Sequence, residues 1–245
     1  MKTMFSVITA SRNAKQDLGL TVDSLLRQSD SNYEFILIDD VSEDGTIELI
    51  KERSEEFGYS PIIVSEPDKG IYDAFNKGLR LASGEYICYL GCGDKLESNA
   101  LEIVKRKITT EPDADVYYGI LKKYNDDGAF TVYSSSPENL FNCTMIPHQA
   151  SFVKKDTYLK LGGFSLEYKI ASDFEVMLRI FLNNGRFVFI DQILAEFKMG
   201  GISTRDSDGF YECMSILKKY GCVDKKEYDR KMLKKRLRDI TRKVF

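Results

Sequence analysis

Short apolar runs alternate with helix-like patterns through the first hundred residues. Apolar positions three and four apart, such as Leu18, Val22 and Leu25, indicate an amphipathic helix. Buried strands separated by helices of about ten to fifteen residues are typical of βαβ units. The pattern therefore predicts an α/β fold with a mostly parallel sheet flanked by helices. The strands are expected at 4–10, 34–38, 62–65 and 86–90, and two further helices at 46–57 and 71–81.

The spacing of the elements changes after Asp94. A hairpin turn is expected at 125–128, and Gly162-Gly163 follows a helix in the usual position of a glycine stop. We expect one domain over residues 1–221 and a basic amphipathic helix at 222–245. The elements expected between them are a helix at 98–109, strands at 115–121 and 129–133, a strand ending at Phe152, and a helix at 172–183.

Composition describes an ordinary globular chain. Of its 245 residues, 43% are hydrophobic and 30% charged, and the longest apolar runs fall far short of the ~18–20 residues that cross a bilayer. The N-terminus shows no secretory signal, so we expect a cytoplasmic protein. The five cysteines contain no Cys-x-x-Cys pair, which favours free thiols in a reducing compartment over a metal site.

Charge is distributed unevenly along the chain. Residues 218–245 hold twelve Lys or Arg and four Asp or Glu, a net of +8, within a total of −3. The rest of the chain is acidic, so no basic stripe spans it and nucleic acid is not expected as a partner. The basic helix fits two alternatives equally well: contact with an anionic membrane surface, or packing on the body of the protein.

Carboxylates follow three of the four expected strands: Asp39 and Asp40, then Asp68, then Asp94. Ligands of open α/β sheets bind at the carboxyl ends of the strands. Like charges gathered there suggest an oxygen-ligated divalent metal or a ligand rich in hydroxyl and N–H groups. The alternative is that these residues cap helices and form turns.

Several ordered motifs resemble the family 2 glycosyltransferases of the GT-A fold. They extend over roughly residues 4–205, and one of them is similar to a branch of the family found in bacterial polysaccharide synthesis. The resemblance implies a Rossmann-like sheet with a nucleotide-binding half (1–94) and an acceptor half (95–221). The motifs are 5–9, 38–46, 83–94, the branch motif 65–78, His148-Gln149, Gly162-Gly163-Phe164 and 171–174.

The resemblance also implies residue roles. Asp173 would be the catalytic base, although Ser172 or Asp173 could instead be a helix N-cap. Asp94 would bind Mn²⁺ or Mg²⁺, and the sequence departs from the family at Gly91-Cys92-Gly93, where an acidic or Asn residue often precedes the final Asp. The other residues implied to contact a nucleotide sugar are Thr9, Ala10, Arg12, Asp39, Asp40, Asp68, Asn76, Lys77, Gly93, His148 and Arg205, the last in a candidate mobile loop.

These roles imply an inverting enzyme that moves a sugar from a nucleotide diphosphate sugar, most often a UDP-sugar, to a hydroxyl. The acceptor would be a glycan or a lipid-linked polysaccharide precursor, which places the protein in the cytoplasm or on the inner face of the cytoplasmic membrane. Two alternatives stay open. One is transfer to a polyprenyl phosphate, and the other is a sugar-nucleotide-binding scaffold without turnover.

Overall fold

The computed structural model describes residues 3–125, 128–199 and 208–244. Its centre is a nine-stranded sheet in the order β3-β2-β1-β4-β8-β6-β9-β5, with β7 paired to β6. The strands are β1 Phe5–Ser11, β2 Tyr33–Asp39, β3 Ile62–Ser65, β4 Tyr86–Gly91, β5 Lys95–Leu96, β6 Val116–Tyr124, β7 Phe130–Tyr133, β8 Ser151–Lys154 and β9 Phe187–Lys198.

Helices cover both faces of the sheet. Short 3₁₀ helices at Ser54–Phe57, Pro137–Asn142 and His148–Ala150 join some of the elements. The α-helices, numbered in chain order, are α1 Lys15–Leu26, α2 Thr46–Glu52, α3 Ile71–Leu81, α4 Ala100–Thr110, α5 Lys155–Leu161, α6 Ser172–Leu182, α7 Asp208–Lys219 and α8 Lys225–Val244.

The first four strands confirm the predicted parallel arrangement. β1 pairs in parallel with β2 on one side and with β4 on the other, and β2 pairs in parallel with β3. Side chains alternate between the two faces, so that Ile8 and Ile36 lie in one core cluster while Val7 and Phe35 lie in the other. Because both faces are buried, the strands read as continuous apolar runs.

The second half of the sheet is mixed rather than parallel. β8 runs antiparallel to β4 and β6, whereas β6 and β9 are parallel. The predicted hairpin is confirmed, because β6 and β7 pair antiparallel with Tyr124 opposite Phe130. β5 and the long β9 were not predicted, since β5 has two residues and β9 has polar positions in its middle that break the apolar run.

Both predicted halves contribute strands to this one sheet, and the boundaries at 94 and 221 stay predictions.

α8 packs with Tyr228 and Met232 against the core, while Leu233 and Leu237 are 60% and 56% exposed. Within the described residues, no helix is both long and apolar enough to cross a membrane. The helix therefore has a packed side and an exposed side that combines leucines with basic residues.

α3 lies unusually close to β1, and a glycine makes this approach possible. A Cβ atom at Gly78 would lie 2.4 Å from Cγ2 of Ile8, a side chain with no exposed surface. Close packing of α3 positions both its N-terminus and the loop before it at the carboxyl edge of the sheet.

We expect Gly78→Ala to destabilise the protein by about 1–3 kcal/mol, because overpacking forces strain into the core. Gly19→Ala in α1 is the matched control, since its nearest contact would be 3.9 Å away and helix propensity favours Ala by about 0.5–1 kcal/mol. Denaturant unfolding of both variants measures the difference. Equal stabilities would contradict the proposed close packing.

Candidate active site

The carboxylate of Asp39 connects the ends of three parallel strands. It accepts hydrogen bonds from Ser11 Oγ of β1 and Ser65 Oγ of β3, each at 2.8 Å. Ser42, in the loop after β2, donates its backbone N–H at 2.8 Å and its hydroxyl at 2.5 Å. Burial acts to raise the pKa of Asp39, but the hydrogen bonds outweigh it and hold that pKa below its ordinary value.

Two of the implied nucleotide contacts are buried in this arrangement. Asp39 and Thr9 have no exposed surface, and their contact with a nucleotide stays a prediction. Asp39 is the buried anion that holds the strand ends together. Thr9 lies inside β1, and its hydroxyl oxygen is buried without a hydrogen-bond partner among the described residues.

Asp40 lies next to this cluster and faces outward. Its Oδ2 forms an ion pair with Arg12 at 2.7 Å, and its Oδ1 accepts the backbone N–H of Asp68 at 3.1 Å. Burial raises the pKa of Asp68, and the charge of Asp40 adds to this effect. The hydrogen bond from the backbone N–H of Gly70 opposes the shift but does not cancel it. The ends of β1, β2 and β3 thus bring Arg12, Asp40 and Asp68 together, as the sequence predicts.

Asn76 and Lys77 both form polar contacts within the chain. Both halves of the Asn76 amide bind the backbone of Phe164, each at 2.9 Å, because α3 packs against the chain that leads to α6. Lys77 donates to the carbonyl of Pro67 at 2.7 Å and pairs with Glu66 at 2.9 Å. In this structure these two side chains hold the fold and the loop after β3, and their implied contacts with a nucleotide sugar stay predictions.

The turn after β4 fixes Asp94 at the same edge of the sheet. Gly93 adopts a left-handed φ of 93°, which favours glycine. The Thr21 hydroxyl of α1 accepts the Gly93 N–H at 3.0 Å and donates to the Asp94 carbonyl at 2.8 Å. Cys92, where the family often has an acidic residue, places its thiol 3.4 Å from the carbonyl of Ala10.

Asp94 is a buried carboxylate that forms no ion pair with any of the described residues. It is 5% exposed and accepts the Gly91 N–H at 3.1 Å. Burial raises its pKa to about 7, with a smaller contribution from the charge of Asp17, although hydrogen bonds from Gly91, Lys198 and Gln149 oppose the shift. Neighbouring Cys92 stays a neutral thiol because burial raises its pKa, so it adds no second anion.

These features fit a divalent ion held mainly by substrate. The residues described contain no group of three or more His, Cys, Asp or Glu side chains that could hold a metal ion. Mg²⁺ commonly takes one or two carboxylates together with substrate phosphates, and the uncompensated charge of Asp94 is the group that such a cation would balance. The donor set therefore agrees with a metal that arrives with a diphosphate.

Asp173 lies in the first turn of α6, and the N-cap position belongs to Ala171. Neither Ser172 nor Asp173 therefore occupies the cap position. Oδ1 of Asp173 accepts the backbone N–H of Phe174 at 2.8 Å and the hydroxyl of Tyr72 at 3.2 Å. The loop before α6 is held by Glu212 of α7, whose carboxylate accepts three consecutive backbone N–H groups, those of residues 169–171.

His148 lies in a cluster of aromatic rings within electrostatic reach of Asp173. Its ring stacks on Tyr89 of β4 at 5.5 Å, and its Nε2 is buried without a hydrogen-bond partner among the described residues. Burial lowers the pKa of His148, opposed by the charge of Asp173. A neutral imidazole with an unused nitrogen therefore lies near Asp173.

Sequence reasoning missed the residues that hold these groups in place. Tyr72 and Gln149 lie within motifs that the resemblance singled out, so a signal for them was present. The serine cluster on Asp39, Thr21 and Glu212 gave no local signal, because their partners are far away in sequence. Arg205 and its candidate loop lie outside the described residues.

With this geometry in view, comparison with known proteins identifies the family. The profile described as Glycosyl transferase family 2 matches residues 6–169. A "PGL/p-HBAD biosynthesis glycosyltransferase" of Mycobacterium bovis is 30% identical over 207 residues, which cover 82% of this chain and 79% of that protein. An uncharacterized glycosyltransferase of Mycobacterium tuberculosis is 31% identical over 207 residues, covering 81% of this chain and 76% of its own length. The chain belongs to glycosyltransferase family 2 and is a sugar-transferring enzyme.

Solved structures confirm the GT-A fold. S. aureus TarS 1-349 in complex with UDP superposes with a TM-score of 0.70 at 19% identity, over 87% of this chain and 64% of that one. A mannosyltransferase from Pyrobaculum calidifontis in complex with GDP-Man and Mn²⁺ gives 0.62 at 16% identity, over 82% of this chain and 58% of that one. The chain thus spans about two thirds or less of these structures.

We expect Asp94→Asn to stabilise the folded protein at alkaline pH. An ordinary Asp has a pKa of 3.8, and Asp94 has about 7 when folded, so ionisation penalises folding increasingly as pH rises between those values. Removing the charge should gain about 1–2 kcal/mol, or about 2–8 °C in Tm, at pH 8.5. Thermal unfolding at pH 5.5 should show a smaller gain, and equal gains at both pH values would contradict the argument.

Asp39→Asn should have the opposite sign. The pKa of Asp39 lies below 3.8 when folded, so its charge stabilises the fold above that value, and the contribution is lost as pH falls through the folded pKa. We expect a loss of about 2–3 kcal/mol at pH 7 that shrinks in acid. Denaturant unfolding at pH 7 and pH 3 measures it, with the exposed Glu43→Gln as a control of small effect. A loss that persists at pH 3 would refute the electrostatic explanation.

Proposed function

We propose that the protein transfers a sugar from a nucleoside diphosphate sugar, a UDP-sugar in the first instance, to an acceptor hydroxyl with inversion at the anomeric carbon. The observation that carries the proposal is the presence of two carboxylates of different character. Asp94 is buried with its charge uncompensated, and Asp173 lies half-buried on α6 near His148. Structures that share the fold were solved with UDP or with UDP-GlcNAc.

The donor would lie along the ends of β1, β2 and β4. Asp40 and Asp68 offer oxygen acceptors to N–H groups of the base and hydroxyl groups of the ribose, and Arg12 is the cation next to them. The backbone at Ala10 and the backbone at Gly93 lie close together, because the thiol of Cys92, the residue before Gly93, contacts the carbonyl of Ala10. This region therefore supplies the nucleoside site of the proposal.

A divalent ion, Mn²⁺ or Mg²⁺, would be held by Asp94 and the diphosphate. When bound, it supplies Lewis-acid stabilisation to a leaving diphosphate. Mn²⁺ is present in two structures of the same fold, those with GDP-Man and with UDP and GalNAc. Since Asp94 is half-protonated near pH 7, its role in this chain is to accept a cation only once it has lost its proton.

Asp173 would act as the base on the acceptor. The acceptor oxygen attacks the anomeric carbon and forms the new C–O bond, while the bond from that carbon to the diphosphate breaks and its electron pair leaves with the nucleotide. The hydroxyl proton passes to Asp173, a step that can contribute ~10²–10⁴-fold. His148, a neutral imidazole, would donate to or accept from a sugar hydroxyl through its unused Nε2.

The acceptor in this proposal is a glycan or a lipid-linked polysaccharide precursor. The support is the name of the mycobacterial relative, which places that protein in PGL/p-HBAD biosynthesis. The basic α8 helix, with Leu233 and Leu237 exposed, would contact an anionic membrane surface. This contact would hold the enzyme on the cytoplasmic face of the membrane that carries such an acceptor.

The experiment compares binding with turnover. Calorimetry of UDP and GDP, each with and without Mn²⁺, should show metal-dependent UDP binding that Asp94→Ala removes. Turnover is followed as UDP release from a panel of UDP-sugars, with alkyl and phenyl glycosides as acceptors. We expect Asp173→Asn to lower kcat by about 10²–10⁴ while UDP affinity is unchanged.

Asp156→Asn is the matched control, because Asp156 is also an acidic residue in the first turn of a helix, α5, but is exposed. It should leave kcat unchanged. Full activity of Asp173→Asn on polyprenyl phosphate would favour that acceptor instead, since a phosphate needs no base. UDP binding without turnover under any metal condition would support the scaffold alternative, to which Cys92 in place of an acidic residue gives some weight.

A further inference from the structure

The hydroxyl of Tyr72 contacts two acceptors at the base of the proposed site. It lies 2.5 Å from the carbonyl oxygen of Ile170 and 3.2 Å from Oδ1 of Asp173. The ring is 7% exposed and stacks on Phe164 with a centroid distance of 5.6 Å. A phenol has one proton, so Tyr72 can donate fully to only one of the two oxygens at a time.

The two oxygens of Asp173 have different surroundings. Oδ1 accepts the Phe174 N–H at 2.8 Å as well as the Tyr72 contact. Among the residues described, no hydrogen bond to Oδ2 is present, so Oδ2 is the oxygen left to receive a proton from a substrate. The Tyr72 contact therefore orients the carboxylate without occupying its reactive oxygen.

The carbonyl of Ile170 is itself held in place. Glu212 accepts the N–H groups of Lys169, Ile170 and Ala171 at 2.8–3.0 Å. The next residue, Ser172, donates its hydroxyl to the carbonyl of Ser165 at 2.8 Å. The hydrogen bonds from Glu212 and Ser172 fix the loop around Ile170. The competition between Ile170 and Asp173 for the Tyr72 proton therefore depends on the charge of Asp173 and not on loop movement.

We propose that Tyr72 is a positioning residue for the catalytic base, and that its hydrogen bond shifts between Asp173 and Ile170 as the base changes charge. While Asp173 is ionised, Tyr72 shares its proton between the Ile170 carbonyl at 2.5 Å and Oδ1 at 3.2 Å, and the negative charge of the carboxylate strengthens the share of Oδ1. When the acceptor's proton has reached Oδ2, Oδ1 becomes a weaker acceptor and the Tyr72 proton returns to the Ile170 carbonyl. The inference rests on the proposed role of Asp173.

The tyrosines, the cysteine and the histidine around Asp173 stay neutral in the relevant range. Burial raises the pKa of Tyr72, of Tyr158 on α5 and of Cys213 on α7, and the charge of Asp173 raises each of them further. Burial lowers the pKa of His148, against the charge of Asp173. Glu212 contacts the loop before α6 through backbone N–H groups. Asp173 and His148 are therefore the groups near the base whose titration an acidic limb could report. Asp94, with its pKa of about 7, would also contribute to an acidic limb, so the limb is followed at saturating donor and Mn²⁺, where a bound cation keeps Asp94 ionised.

The test is the pH dependence of Tyr72→Phe. A hydrogen bond to the charged form of a carboxylate favours that form, so its loss should move the acidic limb of kcat, measured at saturating donor and Mn²⁺, upward by about half to one pH unit. We also expect kcat at pH 7 to fall about tenfold, with KM for the donor unchanged. The stacking of the ring on Phe164 is kept, so the variant should fold normally.

Tyr117→Phe is the matched control. Tyr117 is also fully buried and donates to a backbone carbonyl, that of Glu111, at 2.6 Å, but it lies in the other core cluster. It should lose comparable stability and keep the wild-type pH profile. His148→Gln should keep the acidic limb, and loss of the limb in that variant would assign it to His148 and overturn the inference.

The inference and the proposed function fail in different ways. An unshifted limb in Tyr72→Phe, together with an inactive Asp173→Asn, would overturn the inference alone. Wild-type activity in Asp173→Asn would overturn the role of Asp173 as base, and the inference with it. A shift of similar size in Tyr117→Phe would show a general effect of stability and would also overturn the inference.

Discussion

A single buried carboxylate, Asp39, holds together the edge of the sheet on which the site is built. Parallel strands end side by side, and their last residues need hydrogen-bond partners that the sheet no longer supplies. At this edge, serine side chains at the ends of β1 and β3 donate their hydroxyls to the carboxylate of Asp39, at the end of β2. The serine in the loop after β2 donates both its hydroxyl and its backbone N–H. Because this anion is satisfied, the next residue, Asp40, can face outward from a fixed backbone. Asp40 in turn positions Arg12, with which it forms an ion pair, and Asp68, whose backbone N–H it accepts.

Burial has opposite consequences for the two buried aspartates of this edge. Asp39 has three hydroxyl donors and a backbone N–H, so its charged form is favoured in the folded state. Asp94 has fewer donors and no ion-pair partner among the described residues, so burial disfavours its charged form and raises its pKa to about 7. Charge that the protein leaves uncompensated is available to a ligand, and sites that bind ligands commonly cost stability in this way. The first carboxylate is used by the fold, and the second is the one that we propose for the chemistry.

The acceptor side is positioned by contacts that are distant in sequence. α3 begins just after the loop of Asp68 and carries Tyr72, which reaches Asp173 on α6. Asn76, one turn further along α3, holds the backbone of Phe164. The same helix therefore contacts the donor loop at its start and the base along its length. A glycine at position 78 lets it pack closely enough on β1 to make both contacts.

The sequence by itself determined the elements whose signals are local. The strands at 62–65 and 86–90, the helix at 71–81 and the motifs of family 2 could all be read from spacing, apolar pattern and residue type, because each signal lies within a dozen or so residues. Asp40, Asp94 and Asp173 were singled out in the same way. The tertiary structure decided which of the polar residues serve the fold. Asp39, Asn76 and Lys77 resemble ligand contacts in the sequence, and only their partners, up to 88 residues away in the case of Asn76, show that their polar groups are already used. Tyr72 and Glu212 were missed for the converse reason, since their chemistry depends on an acceptor or donor that the chain brings near them only when it folds.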